Sequence, residues 1–450
     1  MKNDASEKRY QQVLQYRDQQ ANLYREQASA FYAQKRYRKA VQNANTALLL
    51  RPDFAEAFHV KGSALHGLGE FAQAIQCFEK AISLKSDYAV AYIGKAFALS
   101  ELRAYEQALQ AFDAGLALYP RIPSAHFNRG IVLSELGRYQ EAAAAYDQAQ
   151  RLGLDTSMTE VYYVKKGRAL AEARDMVGAL KVVEEGIRRF PRNYDLFMLK
   201  GILLNSLEQK QLALEALDQA IQLNHREAEG SYIKGEILRE SGHLEPALAA
   251  FEQALKRQPK YPNALIGKGF VLGTLGKHKE AVRAFAKARR LDPKNVDAYN
   301  NLSNALMLLG QPLKALSVVE DGIRLSPHDA ELYRKKGLAL EHLGRYSEAL
   351  VAYNQALSYD PTKADAYHDK GVLLDKMGKS EEALPELNKA LSLNPLAAIS
   401  HHSKAIVLHK LRRYQEAIEA CDAALKIDPQ YLPASAKKAR ILNDMASQTR

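Results

Sequence analysis

Cysteine, tryptophan and long apolar stretches are scarce or missing in this sequence, and each shortage excludes something. The 450 residues contain two cysteines, Cys77 and Cys421, which cannot form a disulfide framework or a C-x-x-C motif. No apolar run reaches the length that crosses a membrane. The polar residues 1–20 lack the apolar segment of a signal peptide. We therefore expect a soluble, cytoplasmic protein without membrane insertion.

Catalytic and cofactor motifs are missing as well. The sequence has no G-x-S-x-G and no H-E-x-x-H. The segment from Gly269 to Lys277 resembles a phosphate-binding loop, but His278 stands where Ser or Thr is required and no strand pattern precedes it. His368, His402 and His409 lack acidic or cysteine ligands at fixed spacing, so we interpret them as polar surface. The sequence therefore predicts no enzyme, no cofactor and no metal site.

What the sequence contains instead is a repeat with a period of 34 residues, broken once. Such self-similarity over nearly the whole length predicts an array in which each unit packs only against its neighbours. The recurring residue is an alanine, which we number position 20 of its repeat. The twelve alanines are Ala40, Ala74, Ala108, Ala142, Ala179, Ala213, Ala247, Ala281, Ala315, Ala349, Ala383 and Ala417.

Each repeat reads as two antiparallel helices, which we call helix A and helix B. Positions 4, 8 and 11 form one helical stripe, with aromatic residues frequent at position 4 and glycine frequent at position 8. Small residues at positions 8, 20 and 27 allow close approach of the helices. Glycine at position 15 in seven repeats suits a left-handed turn after helix A, and proline at position 32 ends helix B in nine repeats. Three extra residues near 151–160 predict a longer turn or an extended helix there.

This pattern resembles the tetratricopeptide repeat family from Ala21 to about Tyr431. The resemblance implies an all-α fold, an α-solenoid in which twelve helix pairs form a right-handed superhelix. We expect residues 1–20 to be an N-terminal flanking helix, residues 21–431 to be the twelve repeats and residues 432–450 to be a C-terminal capping helix. The sequence departs from the family pattern in having no tryptophan and in carrying lysine, not leucine, at position 7.

The lysines at position 7 form a row along the array, which we call the position-7 row. Gln27 and Leu302 interrupt it, and the other members are Lys61, Lys95, Arg129, Lys166, Lys200, Lys234, Lys268, Lys336, Lys370 and Lys404. Such a row could follow a phosphate backbone or an acidic peptide. Position 7 lies on an apolar flank of helix A, however, so we favour a structural role in which the ammonium reaches a carbonyl or carboxylate at a neighbouring helix end.

In the family, helix A lines the concave groove, and by resemblance positions 5, 9 and 12, with 2, 6 and 13, form the groove surface. Repeats three to eight place apolar residues there, and repeat nine changes to asparagines. Either these side chains pack against one another or they form an apolar trough that binds a partner, with Phe97, Phe127 and Phe270 as anchors. The candidate partner-binding residues are Ile93, Phe97, Phe127, Asn128, Ile131, Val164, Arg168, Met198, Ile202, Asn205, Tyr232, Glu236, Arg239, Ile266, Phe270, Asn300, Asn301 and Asn304.

The groove surface differs in charge from the whole chain, whose formal net charge is +11. The six groove positions carry 8 Lys or Arg and 15 Asp or Glu, so this surface is acidic. Such a groove repels nucleic acid and favours an apolar or basic peptide or helix. We therefore predict a non-enzymatic scaffold or adaptor that binds a segment of a partner protein. A regulatory or targeting subunit of an enzyme complex and an RNA-binding protein remain the alternatives.

Overall fold

The computed structural model describes residues 2–448, and within that range the chain forms 25 α-helices and no strand. The all-α prediction is confirmed. The chain divides into two compact units, Met1–Asn224 and His225–Arg450. Unit one contains α1 (Lys2–Ala33), α2 (Tyr37–Leu50), α3 (Ala55–Gly67), α4 (Phe71–Leu84), α5 (Ala89–Glu101), α6 (Tyr105–Leu118), α7 (Pro123–Glu135), α8 (Tyr139–Leu152), α9 (Thr156–Glu172), α10 (Met176–Arg189), α11 (Tyr194–Ser206) and α12 (Lys210–Leu223).

Unit two has the same organisation, with helices A carrying odd numbers and helices B even numbers. It contains α13 (Glu229–Glu240), α14 (Leu244–Arg257), α15 (Pro262–Thr274), α16 (His278–Leu291), α17 (Val296–Leu308), α18 (Pro312–Leu325), α19 (Ala330–His342), α20 (Tyr346–Tyr359), α21 (Ala364–Lys376), α22 (Ser380–Leu393), α23 (Ala398–Lys410), α24 (Tyr414–Ile427) and α25 (Leu432–Gln448).

Within each unit the helices stack as an α-solenoid. In either unit, each helix packs against the next one of that unit, and helices A of successive repeats of the unit also touch one another. Because helices A lie closer together than helices B, the A side is the inner side of each unit. The groove surface predicted from the sequence therefore lies on this row of helices A.

The predicted small positions are the points where helices cross. All twelve position-20 alanines are fully buried. At position 8, glycine makes room for the position-24 ring of the same repeat. A Cβ atom built on Gly235 would lie 2.8 Å from the ring of Phe251, and one built on Gly269 would lie 2.8 Å from the ring of Phe285. Close packing of this kind leaves no space for an added methyl group.

Position 15 is left-handed in every repeat, including those that lack glycine there. The seven position-15 glycines have φ between +67° and +79°. Lys35, Arg103, Arg174, Glu208 and Arg412 occupy the same position in the remaining repeats, with φ between +58° and +64°. The turn that ends helix A thus imposes this backbone conformation on side chains that favour it poorly.

Glycine at four of these positions in unit one should stabilise the protein. We expect Lys35→Gly, Arg103→Gly, Arg174→Gly and Glu208→Gly each to raise the free energy of unfolding by about 0.5–1 kcal/mol, because glycine adopts positive φ without the Cβ penalty. Urea denaturation followed by circular dichroism measures the change. Gln42→Gly, at an exposed site inside α2, should lower stability by a similar amount. Equal effects at Gln42 and Arg103 would contradict the interpretation.

The position-7 row forms ion pairs between successive repeats. Six members contact the carboxylate at position 25 of the preceding helix B, as in Lys95–Glu79 at 2.7 Å and Lys268–Glu252 at 2.8 Å. The others are Arg129–Asp113, Lys166–Asp147, Lys200–Glu184 and Lys336–Glu320. This arrangement supports the structural role, although the partner lies in the middle of helix B and not at its end.

Two features at the repeat boundaries refine the predicted organisation. The three extra residues lengthen a helix: α9 has 17 residues where α7 has 13, and Asp155 caps it by accepting a hydrogen bond from the Met158 amide at 2.8 Å. Helix α1 runs unbroken from Lys2 to Ala33, so the expected flanking helix continues into helix A of repeat one. Met1 and residues 449–450 of the two expected flanking segments lie outside the described residues.

Candidate functional site

In unit one, most of the predicted trough lies inside the protein. Position 5 is buried in four successive repeats, at Ile93, Phe127, Val164 and Met198, none of which is more than 9% exposed. Ile93, Phe127 and Val164 belong to the hydrophobic core of this unit. Phe127 also packs against the ring of Tyr146, with ring centres 5.3 Å apart. For this position the structure shows packing and no accessible anchor.

The other candidates of unit one differ in their surroundings. Phe97 is half-buried and stands edge-on to the Phe112 ring, 5.4 Å away. The Asn128 amide donates to the Ser124 carbonyl of its own helix at 2.8 Å. The remaining candidates differ in exposure: Arg168 and Ile202 are exposed, while Ile131 and Asn205 are half-buried.

Unit two contains a cleft built from the predicted residues of repeats seven to nine. It has a volume of about 400 Å³ and is lined by Tyr232, Glu236, Arg239, Ile266, Phe270 and Asn301, with Asn263, Gly267, Asn295 and Asp297. A second cleft of about 270 Å³ adjoins it and shares Phe270 and Asn301. Asn304 lines the second cleft. Sequence reasoning thus found six residues of the first cleft and missed Asn263, Gly267, Asn295 and Asp297.

Gly267 and Gly273 of α15 line these two clefts. A Cβ atom at Gly267 would lie 2.5 Å from the buried Phe251 ring and 2.8 Å from a carboxylate oxygen of Glu236, so packing requires glycine there. A Cβ atom at Gly273 would meet nothing within 4 Å, so no packing contact requires this glycine. Glycine costs about 1 kcal/mol in a helix interior. A groove-side glycine without a packing role was the sequence signal that could have revealed the clefts.

Phe270 is the aromatic side chain at the centre of the site. It is 48% exposed, whereas Phe251 and Phe285 of the neighbouring helices B are buried. The Arg239 guanidinium lies over its ring, 5.1 Å from the centre, and is held by the Glu236 carboxylate at 2.7 Å. Arg239 therefore shields one part of the ring and leaves the rest accessible.

Polar groups surround this ring. Among the described residues the Asn301 side chain makes no hydrogen bond, while Asn304 accepts a long one from Lys335 at 3.4 Å. The Oδ1 atom of Asn300 is buried and lacks a partner within the same described range. Burial, with the Glu236 charge nearby, raises the pKa of Tyr232, so its hydroxyl stays protonated at neutral pH. The site thus combines an apolar centre with amide and hydroxyl hydrogen-bonding groups.

The groove surface of repeats ten and eleven is occupied by its own charges. The Arg334 guanidinium contacts the Glu331 carboxylate at 2.8 Å and the Asp369 carboxylate at 2.6 Å. Lys363 contacts Glu331 at 3.0 Å. These internal partners satisfy the charged groups, and the surface offers no aromatic anchor comparable with Phe270.

The three histidines of the groove have separate surroundings. His368 shares a hydrogen bond with Ser400 at 3.0 Å, and His409 lies between Lys437 and Asp444. His402 packs against the ring of Tyr431. Within the part of the chain that the structure describes, no group of three or more His, Cys, Asp or Glu side chains is arranged to hold a metal ion.

Stacked helix pairs with a groove surface along their inner helices define an α-solenoid repeat protein. Its family follows from the sequence comparison. A tetratricopeptide repeat model matches residues 94–153, 164–232, 232–295 and 368–431, more than half of the chain. Further models of the family match residues 342–378, 274–338 and 55–88. The chain belongs to the tetratricopeptide repeat family, whose arrays serve as protein-interaction scaffolds and are generally non-enzymatic.

Three solved structures with the same kind of fold illustrate the range of sequence identity and coverage. A chain of the APC/C hetero-tetramer Cut9–Hcn1 is 18% identical, with 94% of this chain and 96% of that chain covered and a TM-score of 0.47. Yeast Tom70 is 17% identical, with 96% of both chains covered and a TM-score of 0.44. YrrB, described as a tetratricopeptide repeat protein with an unusual peptide-binding site, is 31% identical over 42% of this chain and 98% of its own, with a TM-score of 0.35.

Two further findings concern curated relatives and membrane-spanning helices. A search of curated proteins gave no significant match. Within residues 2–448, none of the helices combines the length and the apolar character needed to span a bilayer.

Proposed function

We propose that this protein is a non-enzymatic scaffold whose groove surface at repeats seven to nine binds a peptide segment of a partner protein. The observation that carries the proposal is Phe270, an aromatic ring that is 48% exposed in the wall of a cleft. Repeat eight supports it further, because its six groove positions carry no charged residue. A concave surface with an exposed aromatic ring on a helix whose groove positions are uncharged favours an apolar side chain of a ligand.

The charges beside the ring favour a cation in the same peptide. Glu236 and Asp297 line the cleft, and Arg239 now neutralises Glu236 from within the protein. A Lys or Arg side chain of the partner can take the place of Arg239 against Glu236 and over the Phe270 ring. The proposed ligand therefore carries an apolar residue next to a basic one.

Asparagine side chains supply the remaining recognition. Asn263, Asn301 and Asn304 place amide groups along the two clefts, and each amide can donate and accept hydrogen bonds. An extended peptide exposes backbone N–H and C=O groups that such amides can pair with. A folded helix satisfies its own backbone groups, so the asparagines favour an extended segment.

Peptide selection on matched variants tests this site. Displayed random 12-residue peptides are selected on the wild type, and the affinity of the enriched peptides is measured by fluorescence anisotropy. We expect an apolar residue beside Lys or Arg, and a weakening of about tenfold or more in Phe270→Ala. Gly273→Leu should weaken binding as much by filling the cleft, without disturbing a packing contact.

The control variant is Leu313→Ala, which removes an exposed apolar side chain from a helix B of the same unit. It should leave the affinity within about twofold of the wild type. Selected peptides that bind all three variants as tightly as the wild type would show that the ligand lies elsewhere. Enrichment of acidic peptides would contradict the proposed chemistry.

A further inference from the structure

A third cleft in unit two, away from the two at Phe270, is lined by cations. It lies between α23 and α25, has a volume of about 880 Å³, and includes Lys410, Arg412, Lys437 and Arg440 among its lining residues. Its lining contains one carboxylate, that of Asp444. The acidic groove surface predicted for the array is thus locally reversed in sign at this place.

Helix α25 presents these cations in the register of the repeats. Ala434 and Ile441 are fully buried, as positions 3 and 10 of a helix A would be. Lys438 contacts Asp422 at 2.5 Å and so continues the position-7 row into α25. With this numbering Lys437 and Arg440 stand at positions 6 and 9, which belong to the groove surface. The packing of α25 therefore turns the Lys437 and Arg440 side chains towards the groove surface, as it does for the same positions of each helix A.

The Lys437 ammonium has a neutral partner where other groove lysines have carboxylates. Its Nζ donates to His409 Nδ1 at 2.9 Å, and His409 Nε2 contacts Asp444 at 3.0 Å. By contrast, Lys376 contacts Glu341 and Lys410 contacts Asp375. Burial lowers the pKa of Lys437, and the nearby Arg440 and Lys410 lower it further. The positive charge at this point is therefore only partly compensated.

Arg412 and Arg440 add further positive charge to the cleft. Among the described residues neither Arg412 nor Arg440 takes part in an ion pair, and both are exposed. A guanidinium offers several N–H donors in a planar arrangement that suits the oxygens of a carboxylate or a phosphate. Two of them beside an ammonium form a set of donors that converge on the cleft.

We propose that this cleft binds an anionic side chain, a carboxylate or a phosphate, carried by a peptide segment of a partner protein. The site is separate from the clefts at Phe270 and does not depend on the function proposed for them. The volume of about 880 Å³ accommodates several residues, and Ile406 and Pro433 add apolar contact. Long polyanions fit less well, because the groove positions of the two preceding repeats carry 5 Asp or Glu against 3 Lys or Arg.

Labelled peptides with matched sequences test the proposal. Three fluorescein-labelled octapeptides carry four glutamates, four phosphoserines or four glutamines in a Gly/Ser background, and fluorescence anisotropy reports their binding to the full chain. We expect one or both anionic peptides to bind and the glutamine peptide not to bind. Preference between the first two assigns the ligand group as carboxylate or phosphate.

Charge-matched variants separate the cleft from general attraction. Lys437→Gln with Arg440→Gln should weaken the anionic peptide about tenfold or more, because charge-assisted hydrogen bonds are lost. Lys389→Gln with Lys426→Gln removes the same charge from exposed sites of unit two and should change the affinity less than about twofold. Arg412→Gln provides a second cleft variant in a turn outside α25, should the double variant lose helix content by circular dichroism.

Three results would overturn the proposal. The first is equal weakening by the cleft and control variants. The second is the absence of binding by either anionic peptide at millimolar concentration. The third is tighter binding of oligouridine or of phosphatidylserine vesicles than of both anionic peptides, with the same dependence on Lys437 and Arg440, which would assign the cleft to nucleic acid or to a lipid surface.

Discussion

Replacing Glu331 by glutamine is expected to lower the free energy of unfolding by about 2–3 kcal/mol, because Lys335 and Lys363 lose their counter-charge and Arg334 keeps only Asp369. The Glu331 carboxylate contacts Arg334 at 2.8 Å, Lys363 at 3.0 Å and Lys335 at 3.6 Å. Glutamine has nearly the same volume, so the change removes charge and not packing. The loss should concentrate in α19 and α21, where hydrogen exchange of backbone amides measures it.

The same substitution predicts a dependence on pH. Burial alone would raise the pKa of Glu331, but hydrogen bonds and charge from Arg334, with Lys363, lower it to about 2. A folded-state pKa below the ordinary value of about 4.3 means that the ionised carboxylate stabilises the fold above that value. Its contribution is lost as the pH falls towards 2. The stability difference between wild type and Glu331→Gln should therefore fall to about half near pH 3.

An exposed ion pair on the same unit serves as the control. Glu382 contacts Lys379 at 3.1 Å, with both side chains close to half exposed. Glu382→Gln should cost less than about 1 kcal/mol, since exposed pairs contribute little. If both substitutions have the same small effect, the Glu331 carboxylate is not the centre of a stabilising network.

Two glycines on α15, one helical turn apart, should respond in opposite directions to the same change. Gly269→Ala is expected to lower the free energy of unfolding by about 2 kcal/mol, because the new methyl group would lie 2.8 Å from the buried Phe285 ring. Gly273→Ala should raise it by about 1 kcal/mol, since alanine favours the helix and nothing lies within 4 Å. Urea denaturation of the two variants measures a difference of about 3 kcal/mol between identical substitutions.

The pair contains its own control for helix propensity. Both variants gain helix preference, in the middle of α15 at Gly269 and in its last turn at Gly273, so their difference mainly reports the contact with Phe285. Stabilisation by both substitutions would mean that the ring moves aside at little cost. Destabilisation by both would mean that the clefts at Phe270 have a packing role that the structure does not show.

The repeat period predicted the fold well because it numbers every residue that packs. Positions 8 and 20 correctly located the helix crossings, and glycine at position 15 located the turns. The period could not show that Arg103 and Glu208 adopt the same left-handed conformation, because neither residue type signals it. Nor could it show that α1 continues through residue 20, since no helix-breaking residue marks or excludes an end there.

The candidate site was harder to predict, because position alone does not determine exposure. Ile131 and Ile202 both occupy position 9 of the predicted groove surface, yet the first is half-buried and the second is 40% exposed. The difference depends on how closely adjacent helices A approach, which varies with side chains on several repeats. Phe270 shares a cleft with Gly273, which places no side chain beside it. Such an absence is visible in the sequence, but its effect depends on three-dimensional neighbours.

The boundary between repeats eight and nine is built differently from the six that the position-7 ion pairs join. Where the row is interrupted at Leu302, the preceding helix B carries Ala286 at position 25, and both belong to one apolar cluster. Repeat nine therefore fits behind repeat eight and would not fit behind repeat seven, where Leu302 would face the carboxylate of Glu252 without a cation. Deleting repeat eight would preserve the period and still create this mismatched contact. At this boundary the order of two repeats is encoded in the side chains that join them.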